Sequence, residues 1–350
     1  SGLYASESSF RAEVDHCADI LRPLLDLDLR QTLFPESGQR EQAAAMLRST
    51  QLAQPAIFVI SYAIARLWQS RGFEPAAMIG HSVGEFVAAT LAGVFELEHA
   101  LAILAGRARL MQSMPAGGML AVRLPEDEAR RFCRADVEIA AVNSPQLTVL
   151  SGTHQALESL KADLDARSIG STVLHTSHAF HGSMMEPVVE PFTAIVAGYP
   201  RSTPARPFHS SLTGRPITPE QATDPSYWAA QLRNTVRFAP GLLDLAGTPG
   251  RVFLECGPGQ NLSTSVRQML KAQHQAGAVP SLAHAGAERA DDAQHMAEAC
   301  GRLWLAGIEP DPARFHGGQR RIKLGLPTYP FARDRHYIEP LPALSPSAAA

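Results

Sequence analysis

The sequence predicts an α/β protein in unequal parts: a large domain built on a parallel sheet, a small inserted α+β subdomain, and an extended C-terminal tail. Three observations carry this. A short apolar strand at residues 76–79 runs into Gly80-His81-Ser82-Val83-Gly84-Glu85 and then, without a breaker, into a helix-forming stretch. Between residues 119 and 174 the strand and helix signals follow the order β-α-β-β-α-β. Beyond His181 the alternation of helix and strand resumes, so the middle segment reads as an insertion.

Taken in order, residues 7–35 place Phe10, Val14, Cys17, Ile20, Leu21 and Leu24 at helical spacing. A long apolar helix is predicted from Gln54-Pro55-Ala56 to Gln69, with Pro55 in its first turn. The strand, the serine turn and its helix follow, then a helix over 97–113 ended by Met114-Pro115-Ala116-Gly117-Gly118. Strands are predicted at 119–122, 137–142, 147–151 and 171–174, with charged helices near 125–134 and 154–167, the split βαβ order of a ferredoxin-like subdomain. Then come a helical region over 227–237, a strand over 251–255 and a helix over 286–306. From residue 315 periodicity fades. Leu326-Pro327-Thr328-Tyr329-Pro330-Phe331 favours an extended path with its aromatic rings free to dock, and 342–350 has the composition of disorder.

A chain of 350 residues can bury a full core, and 45% apolar with 19% charged residues is ordinary for a soluble enzyme. A net charge of −3 gives no electrostatic case for nucleic acid or an anionic membrane, and no apolar run reaches spanning length. Cys17, Cys133, Cys256 and Cys300 are scattered, which suits free thiols in a reducing compartment such as the cytoplasm.

A serine between glycines at a strand-to-helix turn is a nucleophile elbow of hydrolase-like type, and the helix N-terminus beneath it suits a developing oxyanion. Ser82 is therefore the candidate nucleophile, and it needs a base. Among 13 histidines, His175, His178 and His181 lie where the insertion rejoins the large domain. Their three-residue spacing does not suit a metal, because neither a helix nor a strand puts all three on one face. Arg107 is flanked at helical spacing by Ile103, Leu104, Leu110 and Met111, so a charge falls on the buried face of its helix. It calls for an anion: a substrate carboxylate, or a protein carboxylate in an internal pair.

With Gln54-Pro55-Ala56, the Gly80–Glu85 turn, Arg107 with Leu110-Met111-Gln112, Ala141-Val142-Asn143-Ser144-Pro145, His178-Ala179-Phe180-His181, the run from Gln231 to Phe238, and Glu255-Cys256-Gly257-Pro258-Gly259, the chain resembles the acyltransferase domain of modular polyketide synthases, related to malonyl-CoA:acyl-carrier-protein transacylases. The resemblance implies that Ser82 carries the acyl ester and that His181 is its base and acid, oriented by the backbone carbonyl of Gln231. It implies that Arg107 pairs with the malonate carboxylate, that Val83 N–H supplies one oxyanion donor, and that Gln54 and Asn143 support the site. The His178-Ala179-Phe180-His181 sequence is similar to that of malonyl-selecting domains, in which Phe180 takes the room of an α-methyl group. Gly182 stands where such domains usually have serine. The substrate implied is malonyl-CoA, with no bound cofactor. The partners implied are an acyl carrier protein, through its phosphopantetheine, and a ketosynthase reached by the tail.

The resemblance also implies an apolar strand and a Gly-Gln-Gly-x-Gln turn ahead of the first residues here, so the chain is expected to be a fragment or a cut form. The expected partition is 1–115 and 178–314 for the large domain, 116–177 for the small subdomain, and 315–350 for the linker and tail. A serine hydrolase such as a thioesterase, which needs Ser82 and His181 but no buried Arg107, and an inactive scaffold are the competing expectations.

Overall fold

Helix Thr50–Ser70 is the centre of the larger body, packed between helices Ser8–Leu25, Val83–Leu91 and Leu97–Gln112. In the computed structural model, which describes residues 2–270, 277–284, 291–315, 322 and 324–331, it buries Leu52, Phe58, Val59, Ile64, Leu67 and Trp68 on nearly every side. A helix apolar all round belongs in an interior. It begins at Thr50, upstream of the expected start, with Pro55 inside it rather than in its first turn. The reason is a cap no local pattern reveals: Gln112 Oε1 accepts Ser49 Oγ at 3.0 Å and Gln51 N–H at 3.4 Å, satisfying donors that an early start would orphan. The expected helix over 7–35 breaks at Asp26, in the left-handed region at φ 55°, and resumes at Leu29–Leu33.

Strand β1 (Met78–Ile79) leads into the serine turn and pairs in parallel with β6 (Phe208–His209). Between them in sequence lie β2 (Gly118–Val122), β3 (Val137–Ser144), β4 (Leu147–Gly152) and β5 (Ser171–Leu174), an antiparallel sheet in the order β3-β4-β2-β5. That is the ferredoxin-like order, with β4 set between the first two strands. Alternation along the strands sends Leu120, Val122, Ile139 and Leu150 under helix His154–Ala166, against Leu157, Leu160 and Leu164. Met119, Ala141 and Val149 face the other way, onto Val236, Phe238 and Leu242 of the larger body. The seam is hydrogen-bonded as well: Val142 N–H donates to Val236 O and Val236 N–H to Ala140 O, both at 2.9 Å.

Strand β7 (Phe253–Glu255) pairs in parallel with β8 (Ala278–Pro280). The larger body thus has the parallel pairing the sequence predicts, in two two-stranded units among the described residues. Helix Asp292–Leu305 matches the last helix expected, and residues 286–290 of that expectation lie outside the described residues, as do 342–350. Residues 324–331 form neither helix nor strand, and Leu326, Tyr329 and Phe331 are exposed. No helix among the described residues is long and apolar enough to cross a membrane.

Candidate active site

The turn after β1 is a tight backbone crossing. A Cβ on Gly80 would lie 2.0 Å from the Gly84 carbonyl carbon and 2.1 Å from Glu85 N, so only glycine fits. Gly84 is different, because a Cβ there would meet nothing within 4 Å. Gly80→Ala is therefore expected to cost about 3 kcal/mol or more, since backbone rather than a side chain must move. Gly84→Ala is expected to be neutral or stabilising by up to ~1 kcal/mol as a helix substitution. Thermal unfolding of the two variants checks the asymmetry.

Ser82 sits at the crest with φ 51° and ψ −109°, a strained conformation for a side-chain-bearing residue. The strain is held by helix Val83–Leu91, whose Phe86 packs at 4.8 Å on Trp228, which also takes Phe95 at 4.9 Å. The result lifts Ser82 Oγ to 2.8 Å from His181 Nε2. His181 also has a positive φ, 55°, and is 3% exposed. Its Nδ1 lies 3.1 Å from Asn234 O, an acceptor only, so Nδ1 carries the hydrogen and Nε2 is left to accept the serine proton. Burial, then Arg107, then His81 push the imidazole pKa down to about 3, against the Asn234 and Gln231 carbonyls, which raise it.

Arg107 comes from the buried face of helix Leu97–Gln112 and is 1% exposed. Its Nη1 donates to Gln54 Oε1, its Nη2 to Ser82 Oγ at 3.3 Å, and its guanidinium lies 5.8 Å from the centre of the Phe86 ring. Burial lowers its pKa to about 9, opposed by the field of Glu85. Its Nε has no partner, and among the described residues no carboxylate forms an ion pair with it. The Ser82 hydroxyl thus has an imidazole and a buried guanidinium within hydrogen-bond reach. That set can carry acyl transfer on a substrate bearing a negative charge.

The sequence profile of the acyl transferase domain family matches residues 1–310. The chain belongs to the acyl transferase domain family. It is 35% identical over 344 residues to a phenolphthiocerol/phthiocerol polyketide synthase chain of Mycobacterium tuberculosis, covering 97% of this chain and 22% of that protein. To a polyketide synthase of Streptomyces halstedii it is 36% identical over 325 residues, 91% of this chain and 4% of the other. The chain therefore spans about a fifth or less of the length of these relatives. Among solved structures, the acyl transferase domain of ZmaA superposes with a TM-score of 0.85 at 31% identity, over 93% of this chain and 75% of the other. The acyltransferase domain from the second module of the salinomycin polyketide synthase gives 0.82 at 33%, over 94% and 75%.

In this acyltransferase domain the remaining candidates divide. Val83 N–H, the first amide of its helix, has no backbone acceptor among the described residues, whereas Gly84 and Glu85 N–H are spent on His81 and Ser82 carbonyls. Gln54 holds Arg107 with its oxygen and rests its amide on Met111 Sδ at 3.3 Å. Asn143 lies at the register shift between Val142 and Ser144 in β3, and its Oδ1 meets His81 Nε2 at 2.8 Å, joining the small subdomain to the elbow. His178 is 4% exposed and has both nitrogens engaged, Nδ1 with Ser177 Oγ (2.7 Å) and Thr50 Oγ1 (3.3 Å), Nε2 with Met114 O (3.1 Å). These bonds tie the small subdomain to helix Thr50–Ser70 and to Met114, and the ring stacks on half-buried Phe180 at 6.0 Å.

The Gln231 carbonyl shares its expected part with a second one. The hydrogen bond that orients His181 goes to Asn234 O, three residues on, where the chain leaves helix Pro225–Arg233, and the Gln231 carbonyl only adds to it. The Gln231 side chain works elsewhere, donating from Nε2 to Ser82 O at 2.9 Å. A backbone acceptor has no residue-type signature, so Asn234 could not be read from the sequence. Glu85 was also missed, and it had a signal: a carboxylate in the first turn of an otherwise apolar helix.

Proposed function

We propose that this acyltransferase domain takes malonyl from malonyl-CoA onto Ser82 and passes it to the phosphopantetheine thiol of an acyl carrier protein in polyketide biosynthesis. The observation that carries the reading is Arg107: a buried cation with an unpartnered Nε and, among the described residues, no carboxylate bonded to it, 3.3 Å from Ser82 Oγ. A hydrolase of uncharged esters gains nothing from such a group, and its burial is costly unless an anion arrives.

In this reading the malonyl carboxylate sits on Arg107, displacing Nη2 from Ser82 and bringing the thioester carbonyl over Oγ. His181 Nε2 takes the serine proton as Oγ attacks, and Val83 N–H donates to the oxyanion. Collapse expels the coenzyme A sulfur, which leaves with the proton from His181. The carrier thiol, deprotonated by the same nitrogen, then attacks the malonyl ester and regenerates Ser82. Phe180, next to the base, is assigned the rejection of an α-methyl group. The large domain corresponds to 1–115 and 178–314 and the small subdomain to 116–177. The stretch from 315 would meet a neighbouring ketosynthase, a role supported by the exposed Leu326, Tyr329 and Phe331.

The test adds holo acyl carrier protein to the malonyl-loaded domain and follows both proteins by mass. Malonyl appearing on the carrier supports the transferase. Loss of malonyl from Ser82 as free malonate, unaffected by the carrier, would make this a serine hydrolase.

A further inference from the structure

Glu85 is the one carboxylate among the described residues that is fully buried, at 0% exposure. It lies in the first turn of the elbow helix, three residues beyond Ser82. Its Oε2 accepts from Ser211 N–H at 3.1 Å and from Ser211 Oγ, and its Oε1 accepts from Tyr227 Oη. The chain of bonds goes on to the nucleophile: Gln231 Nε2 donates to Ser211 Oγ at 3.2 Å and to Ser82 O at 2.9 Å. Burial raises the Glu85 pKa and favours the neutral acid, and the three converging donors oppose this by stabilising the ionised form. The other fully buried ionisable partner in this region is Arg107, whose donors go to Gln54 and Ser82 and not to Glu85. Glu85 nonetheless raises the Arg107 pKa through its field, as a counter-charge at a distance does.

We propose that Glu85 is a positioning residue: an ionised carboxylate that balances Arg107 from a distance, leaves the guanidinium without a direct ion pair so that an acyl carboxylate can take that place, and fixes the Ser82 carbonyl through Ser211 and Gln231. A direct ion pair would close the site, and no counter-charge would leave Arg107 unbalanced in a dry interior. Held by Ser211 and Tyr227, the carboxylate does neither. The proposal rests on the reading of Arg107 as the carboxylate site.

The test uses malonate dianion as a competitive inhibitor of Ser82 acylation by the uncharged ester p-nitrophenyl acetate. It compares wild type, Glu85→Gln and Tyr227→Phe. Glutamine fits the same bonds, because the Tyr227–Ser210 hydroxyl pair, 2.6 Å apart, can accept from its amide. With the opposing charge gone, the Glu85→Gln Ki for malonate is expected to fall by about three- to ten-fold, while KM for the ester stays within about two-fold. Tyr227→Phe keeps the charge and removes a hydrogen bond, so its Ki stays within about two-fold of wild type although it melts earlier. An unchanged Ki in Glu85→Gln, or equal shifts in both variants, overturns the counter-charge role. Should Glu85→Gln not fold, infrared spectra of the wild type decide: a carbonyl band of a buried protonated acid at neutral pH overturns the proposal, and its absence supports it. Failure of malonate to inhibit wild type would instead remove the Arg107 reading, and the infrared result would then decide Glu85 alone.

Discussion

Exchanging His181 for alanine is expected to slow acylation of Ser82 by about 10³–10⁴-fold, the upper range for loss of a positioned general base. No other group in contact with Ser82 Oγ can replace it. Among the described residues the hydroxyl has two side-chain partners, His181 Nε2 at 2.8 Å and Arg107 Nη2 at 3.3 Å, and the second is a cation with no lone pair to offer. Burst measurements of coenzyme A release give the acylation rate directly. Because burial and Arg107 hold the His181 pKa down at about 3, the base form persists on acidification. The wild-type acylation rate is expected to show no His181 inflection between about pH 8 and about pH 5, where an ordinary histidine would titrate. The same shift bears on stability. The unfolded chain binds the His181 proton more readily, so this contribution is complete above the ordinary value of 6.5 and is lost as pH falls from there towards about 3.

Arg107→Ala separates the charged from the uncharged reaction. Losing the partner of a buried carboxylate costs about 2–5 kcal/mol, so malonyl loading is expected to fall by about 30- to several-thousand-fold. Acylation by an uncharged ester is expected to stay within about ten-fold, since Ser82, His181 and Val83 N–H remain. Its neutral base also escapes the field of Arg107, the second-largest cause of the His181 shift. Parallel loss of both reactions would assign Arg107 to the scaffold of the elbow. Arg107→Lys is not expected to restore malonyl loading, because an ammonium cannot offer the forked donors that hold Gln54 Oε1 and reach Ser82 together.

Local patterns made much of this readable. The elbow shows itself because Gly80 must be glycine and because an apolar strand and helix meet there. The small subdomain shows itself because alternation along β2, β3 and β4 serves two separate cores, one under helix His154–Ala166 and one on the larger body. Arg107 shows itself by interrupting an apolar helical face. What escaped depends on contacts distant in sequence. Strands β6 and β8 are two and three residues long, too short for periodicity to register. The early start of helix Thr50–Ser70 is set by Gln112, and the orientation of His181 by a carbonyl at Asn234, partners 61 and 53 residues away. The engagement of His178 with Thr50 and Met114 could not be read from spacing, because it exists only once the two subdomains are joined.

Incubating the protein with malonyl-CoA or methylmalonyl-CoA and weighing the intact chain and its peptides is the most direct measurement. A malonyl adduct on the Ser82 peptide is expected, favoured over methylmalonyl by about 10–200-fold, the range one methyl group can command in a pocket. Equal loading of the two would contradict the role given to Phe180. An adduct on another residue, or none in a folded sample, would contradict Ser82 as the acyl carrier.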